Sequence, residues 1–298
     1  DVMGRRQRQF PMNRRHFLLT AAAFGYSSMA FGQAPADASI AVMNALSQAF
    51  WFRDGNAPGR VAYVFEAPWC PYCKQAFLNS RTGLEDVELR WIAFQPKSRN
   101  QTNWTVATNL GTDPSALEHS FNPAAVAPDA DVYIANAIRR QNFWAKHMAI
   151  TLGSKARLMS KIDAIPDFIW RSEPGKIGTK LSKGIATDKN VRTQISASGL
   201  APTPDVENLM GTKEILLARS QYHELGRASG TYYATEAATG YALPDDTSIL
   251  VEQIPRNAGL GGMTKVADMN GRQWIELQLV TDRSQPGAFF PADTLERE

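Results

Sequence analysis

The stretch VAYVFEAPWCPYCKQ at residues 61–75 constrains this chain more than any other. It opens as an apolar run rich in β-branched and aromatic residues, the pattern of a buried strand. The chain then turns at Ala67, Pro68 and Trp69. Cys70 and Cys73 follow, two residues apart, at the head of a helical pattern, and they are the only two cysteines in the chain. The spacing has a chemical use. A cysteine at a helix N-cap has its sulfur near unpaired backbone N–H groups and the positive end of the helix dipole. Both favour thiolate over thiol, and the thiolate is the nucleophile. Cys73 falls one turn in, near enough to close a small ring with Cys70. Pro71 takes the first helical turn, where its missing N–H costs nothing.

The residues leave three readings of the pair. One is a redox-active dithiol and disulfide. Another is a metal site, but zinc takes four ligands and no second cysteine pair exists. The third is a structural disulfide, although so small a loop restrains the unfolded chain little. Glu66 closes the apolar run four residues before Cys70. It reads first as an exposed loop carboxylate, with a proton relay to Cys73 as the alternative. His119, His147 and His223 share no motif with the cysteines and read as helix or surface residues rather than ligands. No metal and no separate cofactor is expected; the redox group would be the Cys70–Cys73 disulfide itself.

The N-terminus looks like an export signal over residues 1–34. Arg14 and Arg15 precede Phe17, Leu18 and Leu19, and a short alanine-rich run follows, so a cleavable signal of the twin-arginine type is expected. That run is too short for a permanent span. Cleavage after Ala30 or Ala34 fits, and the expected destination is the periplasm. The signal also skews the charge. Lys and Arg number 32 and Asp and Glu 29; five arginines and one acid lie in residues 1–33, which leaves 27 basic and 28 acidic. No basic balance argues for nucleic acid as a partner.

The 298 residues suffice for two modest domains. Residues 38–200 read as one α/β unit. An amphipathic lead-in helix is expected over 39–52, then the strand, the helix from Cys73 to Asn79, and a strand over 87–94. A helical insert follows, with helices over 103–110, after the Asp113–Pro114 cap, and over 131–152 ending at Gly153. Pro166 then opens an apolar strand, an odd place for a proline unless it has a task. A last strand at 176–181 and a helix from Asp188 complete the unit.

This order resembles the periplasmic thiol:disulfide interchange proteins of the DsbC/DsbG type, nearest to DsbG, within the thioredoxin-like superfamily. The residues that carry the resemblance are Tyr63-Val64-Phe65, the run from Ala67 to Gln75, Arg90-Trp91-Ile92, the Asp113-Pro114 region and Ile165-Pro166. The resemblance implies a thioredoxin-like fold with a helical insertion. It implies a nucleophilic Cys70, a resolving Cys73, and substrate contact at Ile165 and at Pro166 as a cis-proline facing the thiols. Trp69, Pro71 and Tyr72 would form the rim, the aromatics gripping unfolded chains. The implied activity is that of a thiol–disulfide oxidoreductase of isomerase or reductase type. Its partners would be unfolded or misoxidised exported proteins and a membrane redox partner that resets the dithiol. Those proteins carry an N-terminal dimerisation domain that has no counterpart in the short stretch before residue 55, and Ile165 stands where many relatives have Thr.

After a linker and a helix over residues 201–228, with helical pattern from Glu207 to Leu225, the character changes to β over 229–298. Strands are expected at 231–234, 248–253, 264–267 and 273–279, with turns at 244–246, 259–262 and Asn270-Gly271. The ending GAFFPAD at 287–293 resembles the close of SH3-like barrels. A small β-barrel here would bind a partner or peptidoglycan, give a homodimer surface, or serve only to stabilise the fold. From another class comes the alternative of an envelope chaperone or assembly factor on the same scaffold.

Overall fold

A computed structural model of the chain describes residues 37–57, 59–93, 99–110, 114–162, 164–181, 190–199, 201–202, 221–280 and 285–298. The expected export signal, Asp113, Asp188 and the run 203–220 lie outside the described residues. The fold is mixed α/β. Among the described residues, β1 (Phe52–Asp54), β2 (Val61–Glu66), β3 (Glu88–Ala93), β4 (Asp167–Glu173) and β5 (Lys176–Leu181) form a sheet in the order β1-β3-β2-β4-β5. The β2–β3 pair is parallel, and β2–β4, β4–β5 and β1–β3 are antiparallel.

β2 sits at the centre with every residue buried, which is why its sequence runs apolar instead of alternating. Its two faces meet different helices. Val61, Tyr63 and Phe65 join Ile92 and Ile169 beneath α1 (Ala38–Ser47) and the long α5 (Val132–Lys155). Ala62 and Val64 join Trp91, Phe168 and Trp170 beneath α2 (Pro71–Asn79) and α6 (Val191–Ala197). The insert supplies α3 (Arg99–Leu110), α4 (Ser115–Ser120) and α5. Asp131 caps α5 by accepting from the N–H groups of Tyr133 and Ile134.

Two expectations for this half need correction. The lead-in helix stops at Ser47, and Phe52–Asp54 becomes the edge strand because Phe52 stacks on Trp91 across the sheet, ring centroids 6.3 Å apart. Gly153 does not end α5, which continues to Lys155. A side chain at Gly153 would strike the Met159 side chain, so the glycine admits the returning chain.

The second sheet contains β6 (Tyr222–Arg227), β7 (Thr231–Ala234), β8 (Ala238–Tyr241), β9 (Leu250–Ile254), β10 (Gly259–Asp268), β11 (Gln273–Leu277), β12 (Ala288–Pro291) and β13 (Leu295–Arg297). A 3₁₀ turn, Ala292–Thr294, separates the last two. Residues 222–225, expected to be helical, instead form part of β6, which pairs with β10 and leaves Leu225 exposed. The sheet therefore begins before residue 229. The turn expected at 259–262 is strand as well. Gly259 and Gly262 lie against the rings of Tyr233 and Tyr232, with no room for a Cβ.

α5 joins the two sheets. Its inner residues Trp144, Ala145 and Met148 share one continuous core with Ile275, Leu277, Ala288 and Phe290. Arg140 Nη2 lies 2.6 Å from Glu276 Oε1, with both side chains buried. Gly287 N–H donates to the same carboxylate at 2.9 Å, and Trp144 Nε1–H donates to Gly287 O at 3.2 Å. Losing one partner of such a pair leaves a bare buried charge. Glu276→Ala and Arg140→Met should each lower the unfolding free energy by about 3 kcal/mol, read from the guanidinium midpoint. The double variant Arg140→Met/Glu276→Leu removes both charges and should lose less than either single change; an additive loss would refute the account.

Candidate active site

β2 delivers the chain to the site and α2 receives it. A turn closes where Cys70 N–H donates to Ala67 O at 2.9 Å. Cys70 is the N-cap residue in extended geometry (φ −89°, ψ 121°), and Pro71 occupies the first turn. Lys74 N–H donates to Cys70 O at 3.0 Å and closes the first helical ring. Both cysteines are free thiols. Cys70 is 9% exposed and Cys73 wholly buried, so a reagent reaches Cys70 first.

The two sulfurs are driven in opposite directions. The neighbouring Cys73 thiol, and after it the Cys73 and Tyr72 backbone N–H groups at the helix start, favour the charged form of Cys70. Together they overcome partial burial and bring Cys70 down to about 6 from 9.0. Burial, the neighbouring Cys70 sulfur and the charges of Glu66 and Cys70 push Cys73 far up. Ala67 N–H points at the Cys73 sulfur, 3.4 Å away.

Glu66 departs from its first reading. It is the last residue of β2 and wholly buried, not an exposed loop carboxylate. Strand alternation puts it on the face of Ala62 and Val64, which is the face of the thiols. Among the described residues, neither carboxyl oxygen has a hydrogen-bond partner. Burial first, and the Cys70 charge second, raise its pKa well above the ordinary value, so the neutral acid is the favoured form.

The other expected residues gather around the same point. The Ile165–Pro166 bond is cis, Pro166 is buried, and Ile165 O lies 3.9 Å from the Cys70 sulfur. Ile165 packs against both cores, and Trp69 packs on the core of the thiols. Pro71 and Tyr72 are exposed, Tyr72 by 58%. His119 and His223 lie exposed on α4 and β6, and His147 stacks on Phe143 of α5.

Sequence reasoning missed one wall. Ser120 Oγ–H donates to Pro68 O at 3.4 Å, and Lys74 Nζ donates to Phe121 O at 3.3 Å. Phe121 and Leu117 pack into the thiol core, with Phe121 5.8 Å from the ring of Phe77. Some fifty positions separate these partners in sequence, so no local signal pairs them.

No family model matches this chain, and no curated protein matches it.

Two outcomes follow from the geometry. The rate of Cys70 alkylation by iodoacetamide should rise through a midpoint near pH 6, below the about 8.5 of a free thiol. Cys73→Ala removes the main cause and should move that midpoint upward. Glu66 acts on stability. The folded reduced protein holds a proton that the unfolded chain releases above 4.5. The unfolded state then binds fewer protons, so stability contributed below that point is lost as pH rises, by up to about 1.4 kcal/mol per unit. Glu66→Gln has no such proton. Urea unfolding should show it more stable than wild type at pH 7, with the gap narrowing toward pH 4. A gap that does not change with pH would contradict a neutral buried acid.

Proposed function

We propose that this chain is an exported thiol–disulfide oxidoreductase with a thioredoxin-like redox unit, acting on protein disulfides through Cys70 and Cys73. The observation that carries the reading is the split between the sulfurs: a lowered, approachable Cys70 at a helix N-terminus above a buried, raised Cys73. The strand order, with parallel β2–β3 flanked by antiparallel β4 and β5 and with Pro166 opposite the thiols, supports the thioredoxin-like fold. The 3₁₀ turn before the last strand supports an SH3-like reading of the second sheet. The arginine pair before the short apolar run supports export to the periplasm.

In this mechanism the Cys70 thiolate attacks one sulfur of a substrate disulfide. The S–S bond breaks, a Cys70–substrate disulfide forms, and the departing thiolate takes a proton from water. The Cys70 charge is now gone, and with it one of the two causes that kept Glu66 neutral. Glu66 gives up its proton to solvent water and, as the carboxylate, takes the Cys73 proton. The Cys73 thiolate then attacks the Cys70 sulfur, forms the Cys70–Cys73 disulfide and expels the second substrate thiolate. Substrate is reduced by two electrons and the protein pair is oxidised by two. A membrane partner returns the dithiol.

Insulin reduction tests this. Cys70→Ser should lose about 100-fold or more of the turnover, and Cys73→Ser should accumulate mixed disulfides on non-reducing gels. Unchanged turnover in both variants would sink the enzyme reading. Full complementation by the doubly substituted protein would favour an envelope assembly factor on the same scaffold.

A further inference from the structure

The wall that α4 raises beside the thiols is a short element held in place by a few contacts. α4 has six residues, too few for a helix to persist without tertiary support. Its support comes from the site itself. Leu117 and Phe121 are buried in the core that holds Cys70 and Cys73. Phe121 is the C-cap residue of α4, and the last carbonyls of a helix have no partner within it. Lys74 Nζ, from α2, donates to Phe121 O at 3.3 Å. A cation is favourable at this end of a helix. Ser120 Oγ lies 3.4 Å from Pro68 O, on the turn before Cys70.

These contacts bracket Cys73. Residues four apart share a face of a helix, so Cys73 and Phe77 point the same way, and both are buried. The Phe121 ring sits 5.8 Å from the ring of Phe77. The wall therefore meets the chain just before Cys70, at Pro68, and just after Cys73, at Lys74 and Phe77. Lys74 is otherwise exposed, and holding a long exposed side chain in one place costs rotamer freedom. The chemistry of Cys73 gives that cost a use. After the first exchange Cys73 has one sulfur to attack, that of Cys70. A thiolate open to solvent would meet outside disulfides and oxidants as well.

We propose that Lys74 is a positioning residue for the resolving step: by holding Phe121 O it keeps α4 closed over Cys73 and reserves that thiol for the Cys70 sulfur. Lys74 adds no proton and no electron; it acts through Phe121. The inference rests on the reading of Cys73 as the resolving thiol.

The test uses the full chain carrying Cys70→Ser, so that Cys73 is the one thiol left, and follows its labelling by iodoacetamide in the mass spectrometer. The rate should stay flat up to about 1 M urea, because opening of α4 is local and exposes little surface. Adding Lys74→Met should raise the rate about tenfold, and adding Phe121→Ala about 100-fold. Lys74→Arg keeps a donating cation and should stay within about twofold of the parent. Circular dichroism establishes that each variant is folded; should Phe121→Ala not fold, the two Lys74 variants decide. Equal rates in Lys74→Met and its parent overturn the proposal, and so does a failure of arginine to keep the protection. A parent rate that climbs from zero urea with the slope of global unfolding overturns it too, because Cys73 would then be reached only when the whole protein opens. Insulin reduction by the two-cysteine protein is measured alongside. No turnover with the labelling pattern intact refutes the redox reading and leaves the wall standing.

Discussion

No residue of β2 from Val61 to Glu66 is exposed, and the N-terminal half is arranged on the two faces that this burial creates. Parity then assigns every side chain. One set reaches α1 and α5, and the other reaches α2 and the thiols. Glu66 takes its place by the same rule as Ala62 and Val64, and a strand that continues to be buried cannot give it water. Its proton is thus a consequence of the sheet. The Cys70 charge adds to burial in holding that proton, so the ionisation of the acid and of the nucleophilic sulfur are coupled inside one core.

The thiol pair gains from a second local rule. The chain enters α2 through a turn that leaves Cys70 as N-cap, at the helix end whose backbone N–H groups favour its thiolate. Cys73, one turn on, faces inward because a helix returns to the same side after three to four residues. The four residues from Cys70 to Cys73 place the two sulfurs; burial under the sheet and the Glu66 charge then raise Cys73.

What could be read from sequence was what depends on neighbours in the chain. The buried strand, the helix after Cys70, the long helix from residue 131 and a proline at the start of β4 are all of this kind. Glu66 was legible in principle: counting parity from Ala62 puts it on the buried face, but its charge and its place beside a turn suggested exposure. Phe52–Asp54 and Tyr222–Arg227 were not legible as strands. Each becomes one by pairing with a partner distant in sequence, β3 in one case and β10 in the other. Gly259 and Gly262 read as a turn because glycine is ambiguous alone; the tyrosine rings against them decide for strand. The Lys74–Phe121 contact and the pairing of Arg140 with Glu276 rest on register that no single segment contains.

The Arg140–Glu276 contact bears on how the molecule is assembled in time. The two residues are 136 positions apart, and Trp144 waits for a carbonyl 143 positions later. On a ribosome, α5 emerges with one flank already matched by β2 and the other without cover. The cation and the indole on that second flank stay wet until the last strands arrive, so closure of the core is a late, long-range event with a high contact order. The C-terminal strands are then the final piece of the first half's interior, and the length of chain between them measures how long that interior stays open.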